Sequence, residues 1–147
     1  MSTTFDLTTV TNSIAALSIT GVSVKDSDQI PEYIGLDNGI LCPRPDNFVT
    51  SVSFRRDEVS GQLLTARYTL NYQYFHCQIA GDLFSSYSPM LTNLGRIFVA
   101  FSSDATLTGA IDNGPPSFGR LGPMQDASGN KYHGFDVSIP ITQFLEV

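Results

Sequence analysis

Val10, Ile14 and Leu17 recur at steps of four and three residues, the stripe of an amphipathic helix over Asp6 to Ser18. Asp6 or a neighbouring Thr caps its start, and Gly21 stands beyond its end as a left-handed stop. Val22 and Val24 then alternate with Ser23 and Lys25 as a short strand, and Gly39 to Cys42 reads as another. Cys42-Pro43-Arg44-Pro45 must leave any ladder, because each Pro lacks a donor and restricts the residue before it.

The clearest period-two signal follows. Phe48, Val52 and Phe54 share one parity, and Leu64, Ala66, Tyr68, Leu70, Tyr72 and Tyr74 alternate with Thr65, Arg67, Thr69, Asn71 and Gln73. We read Phe48 to Tyr74 as one long antiparallel hairpin with a projecting polar tip over Arg56 to Gly61. Leu83, Tyr87, Met90, Leu91, Leu94, Ile97, Phe98 and Phe101 then define a second amphipathic helix. Ser88-Pro89 suggests that it starts at Ser88, with Pro89 as its first helical residue.

In the last third, Thr108 to Ile111 and Phe118 to Met124 read as extended, and Asn113-Gly114-Pro115-Pro116 as a loop. Asp126 to Asn130 reads as a hairpin turn before a strand carrying His133, Phe135, Val137 and Ile139. Pro140 should confine that strand to an edge or an end. The pattern predicts an α+β fold: a single antiparallel-rich sheet with a long β-hairpin and two amphipathic helices packed on one face. Residues 1–147 are expected to form one domain, since that length suits a single core.

Composition narrows the function. Charged residues make up 15% of the chain, against about 25% in an ordinary soluble domain. Six Tyr and ten Phe accompany them. So few charges give weak protection against self-association, which points to burial against partners. The net charge of −6 argues against a nucleic-acid groove, which needs clustered Lys and Arg. Met1 to Leu17 contains no Lys or Arg, so no signal peptide is expected, and no apolar run is long enough to span a bilayer. Cys42 and Cys77 are expected as buried free thiols rather than a bridge.

The titratable groups offer little for catalysis. His76 and His133 have no spacing that fixes two metal ligands on one element. His76 and Cys77, adjacent on a strand, would point to opposite faces. Asp26 with Asp28, and Asp57 with Glu58, lie where solvated acids collect anyway. Gly119-Arg120-Leu121-Gly122 lacks the ending of a phosphate loop. The stripe of Tyr68, Tyr72 and Tyr74 lacks basic interleaving and reads as core. No catalytic residue, metal site or cofactor is assigned, and the expectation is a protein that is not an enzyme.

One resemblance spans nearly the whole chain. The helix from Asp6 to Gly21, Val22-Ser23-Val24-Lys25-Asp26 and the Ile30-Pro31-Glu32 turn carry its first part. Cys42-Pro43-Arg44-Pro45, the helix around Met90 to Phe101 and the stretch Asp126 to Gly134 carry the rest. With that order of elements, the chain resembles the tail terminator (tail completion) proteins of long-tailed bacteriophages.

The resemblance implies a virion protein assembled in the host cytoplasm: a homo-oligomeric ring, usually six-fold, on the head-proximal end of the tail tube. Such a ring stops tube polymerisation and docks the head's neck, so its partners would be the tail tube protein and a head-completion protein. DNA would pass through without specific binding, and no membrane is involved. At the hairpin tip, Arg55, Arg56, Asp57 and Glu58 are the expected interface residues; Asp57, Glu58, Asp104 and Asp112 are the acids eligible to line the channel. Alternatives are another neck component (a head-completion or stopper protein), a tail tube subunit, or a small-ligand-binding α+β domain.

Overall fold

The computed structural model describes residues 5–26, 39–56, 63–78, 84–103, 106–108, 111–125, 129 and 131–146. Helix α1 (Leu7–Ala15) begins where the Asp6 carboxylate accepts from the Thr8 amide and from Thr9 Oγ1, each at 3.0 Å. This cap satisfies a donor that the first turn leaves open. The helix ends before the expected stop. Gly21 (φ +77°) instead serves the tight turn in which the Val22 amide donates to the Ile19 carbonyl at 3.1 Å.

The remaining elements are β1 (Ser23–Val24), β2 (Ile40–Pro43), β3 (Val49–Arg56), β4 (Leu63–Gln78), α2 (Phe84–Ser103), β5 (Thr106–Thr108), β6 (Ile111–Asn113), β7 (Ser117–Gln125) and β8 (Lys131–Glu146). Helix α2 starts at Phe84, so Pro89 lies inside it rather than at its first position. The turn expected over Asp126 to Asn130 and the hairpin tip beyond Arg56 fall outside the described residues, apart from Gly129.

The expected architecture, an antiparallel-rich sheet organised by a long hairpin, is corrected. Strand makes up 55% of the described residues and helix 26%, in a curled mixed sheet. It is mixed because β1 runs parallel to β2, with Ser23 opposite Ile40. Its spine is β4 paired with β8, antiparallel from Leu63↔Glu146 to Gln78↔Tyr132. β3 covers only the first half of β4, up to Val49↔Leu70, and β2 covers the second, from Pro43↔Tyr72 to Ile40↔Phe75. β8 is flanked in the same way, by β7 from Gln125↔Lys131 to Ser117↔Ser138 and by β6 from Asn113↔Ile141 to Ile111↔Gln143. Alternation along a strand fixes its faces but not its partner, and the dominant partner of β4 is far away in sequence.

This tandem flanking explains Pro140, which lies inside the central strand β8 rather than at an edge or end. Its carbonyl accepts from the Gly114 amide at 2.9 Å, so its nitrogen also points to the β6/β7 side. In an antiparallel strand a residue's N–H and C=O share one side. There, between Ser117↔Ser138 and Asn113↔Ile141, the ladder is already interrupted, and the missing donor costs no bond.

The core is a ladder across the spine. Leu70 faces Ile139, Tyr72 faces Val137 and Tyr74 faces Phe135, all fully buried. The Tyr74 and Phe135 rings stack at 4.5 Å between centroids, a geometry worth about 1 kcal/mol beyond area burial. Val10 and Ile14 of α1 and Met90, Ile97 and Phe101 of α2 join this same cluster. A smaller cluster on the opposite sheet face gathers Ile40, Cys42, Phe75, Met124 and Tyr132. Burial there pushes the free Cys42 thiol up to about 12, only partly countered by the charge of Lys25. No helix among the described residues is long and apolar enough to cross a membrane.

Candidate functional site

Two apolar surfaces stand out. The first is built by α2. On a wheel of about 100° per residue, its apolar positions span an arc of roughly 120°. The core takes only one side of that arc, with Met90, Ile97 and Phe101 buried alongside the polar Asn93. The other side is left outward: Tyr87, Leu91 and Phe98 are 44%, 43% and 45% exposed, and neighbouring Val99 is 59% exposed.

The helix is rolled off the centre of its stripe because Asn93 has work inside. Its Nδ2 donates to Tyr74 Oη at 2.6 Å, and its Oδ1 accepts from Arg96 at 3.1 Å. The Tyr74 hydroxyl is in turn hydrogen-bonded to His76 Nδ1, 2.7 Å away. Burial lowers the His76 pKa, and the nearby His133 lowers it further. A lowered native pKa stabilises the fold fully above the ordinary value of 6.5, and that stabilisation is lost as pH falls through the native pKa. The urea midpoint is therefore expected to drop as pH falls below about 6.5, and the drop to shrink in His76→Gln.

A second apolar surface is the edge strand β3. Val52 and Phe54 are 47% and 56% exposed on it, and its second half is wholly exposed. A register break at Ser51 (φ +57°) separates Thr50↔Thr69 from Ser53↔Arg67. A long edge with apolar side chains is a template for pairing with another chain.

The expected site residues divide. Arg55 and Arg56 lie on the exposed end of β3, opposite Thr65 and Leu64. Asp57, Glu58 and Asp104 lie outside the described residues. Asp112 was expected in a loop but sits half-buried in β6, opposite Thr142. It shares an end of the sheet with Arg55 and Arg56, three strand steps away, about 14 Å.

The histidines are together at the far end of the sheet, on the helix-covered face. His133 is buried, with its ring in edge contact with Tyr87 at 6.2 Å. Among the described residues no group of three His, Cys, Asp or Glu side chains could hold a metal ion. The sequence reading missed the outward half of α2, although a wide apolar arc bordered by one Asn was its visible signal. No family model matches the chain, and no curated protein matches its sequence.

Proposed function

We propose that the chain is a structural subunit of a ring at the head-proximal end of a phage tail tube, halting tube growth and offering a docking face to the neck. The observation that carries this reading is the half-exposed apolar arc of α2. A cyclic ring needs two unlike patches per subunit, each fitting the other on the next copy. The α2 face and the β3 edge supply two such patches, and Arg55 and Arg56 extend the second. The low charge content and the sequence resemblance to tail terminators support the same reading. In it, the ring is six-fold, its partners are the tail tube protein and a head-completion protein, and Asp112 is a candidate for the acidic channel wall.

Native mass spectrometry tests the assembly. The wild-type protein is expected to form a ring of defined size that blocks tube elongation when added to tube subunits. Leu91→Asp with Phe98→Asp is expected to yield monomers with unchanged circular dichroism. Exposed substitutions of this kind cost the subunit only about 0.5 kcal/mol. A wild-type monomer at tens of micromolar would overturn the reading, as would rings in the double variant. Open-ended tubes from the protein alone would make it a tube subunit instead.

A further inference from the structure

The sheet face away from the helices carries a positive depression on an otherwise acidic chain. Gln73, Arg120, Pro123, Met124, Gln125 and Lys131 line an open hollow of about 430 Å³, a volume within the range of small-molecule sites. Among the described residues no carboxylate lines it. The nearest described acid, Asp136, stands behind Arg120, with its Oδ2 at 3.5 Å from Arg120 Nε and 3.9 Å from Arg44 NH1. Arg44 is paired mainly with Asp46, at 3.4 Å, so Asp136 is left chiefly to Arg120, and Lys131 has no acidic partner among the described residues.

The backbone is shaped to place Arg120. The ladder between β7 and β8 breaks between Gly119↔Asp136 and Gly122↔Gly134. Within that bulge Arg120 takes φ +53°, a left-handed conformation that costs a non-glycine residue free energy. Bulges of this kind re-aim a side chain. Here the result is that Asp136 holds the Nε side of the guanidinium, and the terminal nitrogens have no partner among the described residues.

We propose that this hollow binds a small phosphomonoester. Arg120 and Lys131 neutralise the phosphate, while the carboxamides of Gln73 and Gln125 supply further donors. That set has more donors than the two oxygens of a carboxylate can use, and it suits the three terminal oxygens of a phosphate. Pro123 and Met124 offer an apolar wall to the organic part. The net charge of −6 disfavours a long polyanion on the same surface. The site is separate from the α2 face and the β3 edge, so it stands or falls apart from the assembly reading.

Calorimetric titration of the full chain with phenyl phosphate, inorganic phosphate and benzoate, at matched ionic strength, is the test. Phenyl phosphate is expected to bind one per chain, with inorganic phosphate several-fold weaker and benzoate at least about tenfold weaker. Arg120→Gly with Lys131→Gln should weaken phenyl phosphate at least about tenfold. Glycine suits the left-handed backbone at position 120, so the melting temperature should hold. A single-site Lys131→Gln variant gives the same reading should the double variant fail to fold. Equal responses to all three anions would overturn the proposal, as would undiminished binding in the variants or inorganic phosphate binding as tightly as the ester.

Discussion

Gly134→Ala is expected to destabilise the protein by about 3 kcal/mol or more. Gly134 is buried in β8, opposite Phe75 on one side and Gly122 on the other. A Cβ there would fall on the Tyr74 carbonyl oxygen and within 2.9 Å of Met124 Sδ. The thioether is flexible and can move, but the carbonyl belongs to the spine of the sheet and cannot. Relief requires β4 and β8 to separate where their register already shifts, between Phe75 and Gln78. That disturbs both buried clusters at once, since Tyr74 belongs to one and Phe75 to the other. Urea denaturation measures the loss. Gly119→Ala is the matched control, because a Cβ at that position meets nothing within 4 Å. A shift of about 0.5 kcal/mol or less is expected there, and equal losses in the two variants would refute the steric account.

The second large effect separates two tyrosines of the same ladder. Tyr74→Phe removes the hydroxyl that receives from Asn93 and is hydrogen-bonded to His76, so two buried groups each lose a partner. The expected cost is about 2 kcal/mol, because an unsatisfied buried group costs more than a bond contributes. Tyr72→Phe should have the opposite sign. The Tyr72 side chain is fully buried and its hydroxyl has no hydrogen-bond partner among the described residues. Deleting that oxygen is expected to stabilise by about 1 kcal/mol. Burial accordingly drives the Tyr72 pKa far upward. The same substitution one ladder rung apart thus reads out the hydrogen-bond network directly. Thermal unfolding of both variants at pH 7 suffices, and a matching sign in the two would contradict the network.

Local features were legible in the sequence where one face alone decides them. The alternation from Leu64 to Tyr74 places those side chains against the core, and Tyr68, Tyr72 and Tyr74 are buried as that parity requires. The Asp6 cap was visible for a similar reason, because its partner is two residues away. What escaped was pairing over distance. The 16-residue strand β8 looked shorter because Pro140 normally ends a central strand, and nothing nearby announces the gap that accommodates it. The hairpin assumed for Phe48 to Tyr74 took the nearest partner in sequence, whereas the full-length partner lies across the chain. In the candidate site, Arg55 and Arg56 were recognisable as an exposed pair, but the roll of α2 depends on Asn93 finding Tyr74. The bulge that aims Arg120 depends likewise on β8 being its neighbour.

The pairing of β4 with β8 also sets a timetable for the newborn chain. Until residues 131–146 have emerged, β4 offers one entire side of sixteen residues to any passing strand, and β6 and β7 lack the rail they dock on. Folding therefore waits on the last strand described and must close the connection between Gln78 and Lys131, about a third of the sequence, a topology that slows the search and lengthens exposure to aggregation. Cells making the protein quickly have reason to shelter it with a holdase until that strand arrives.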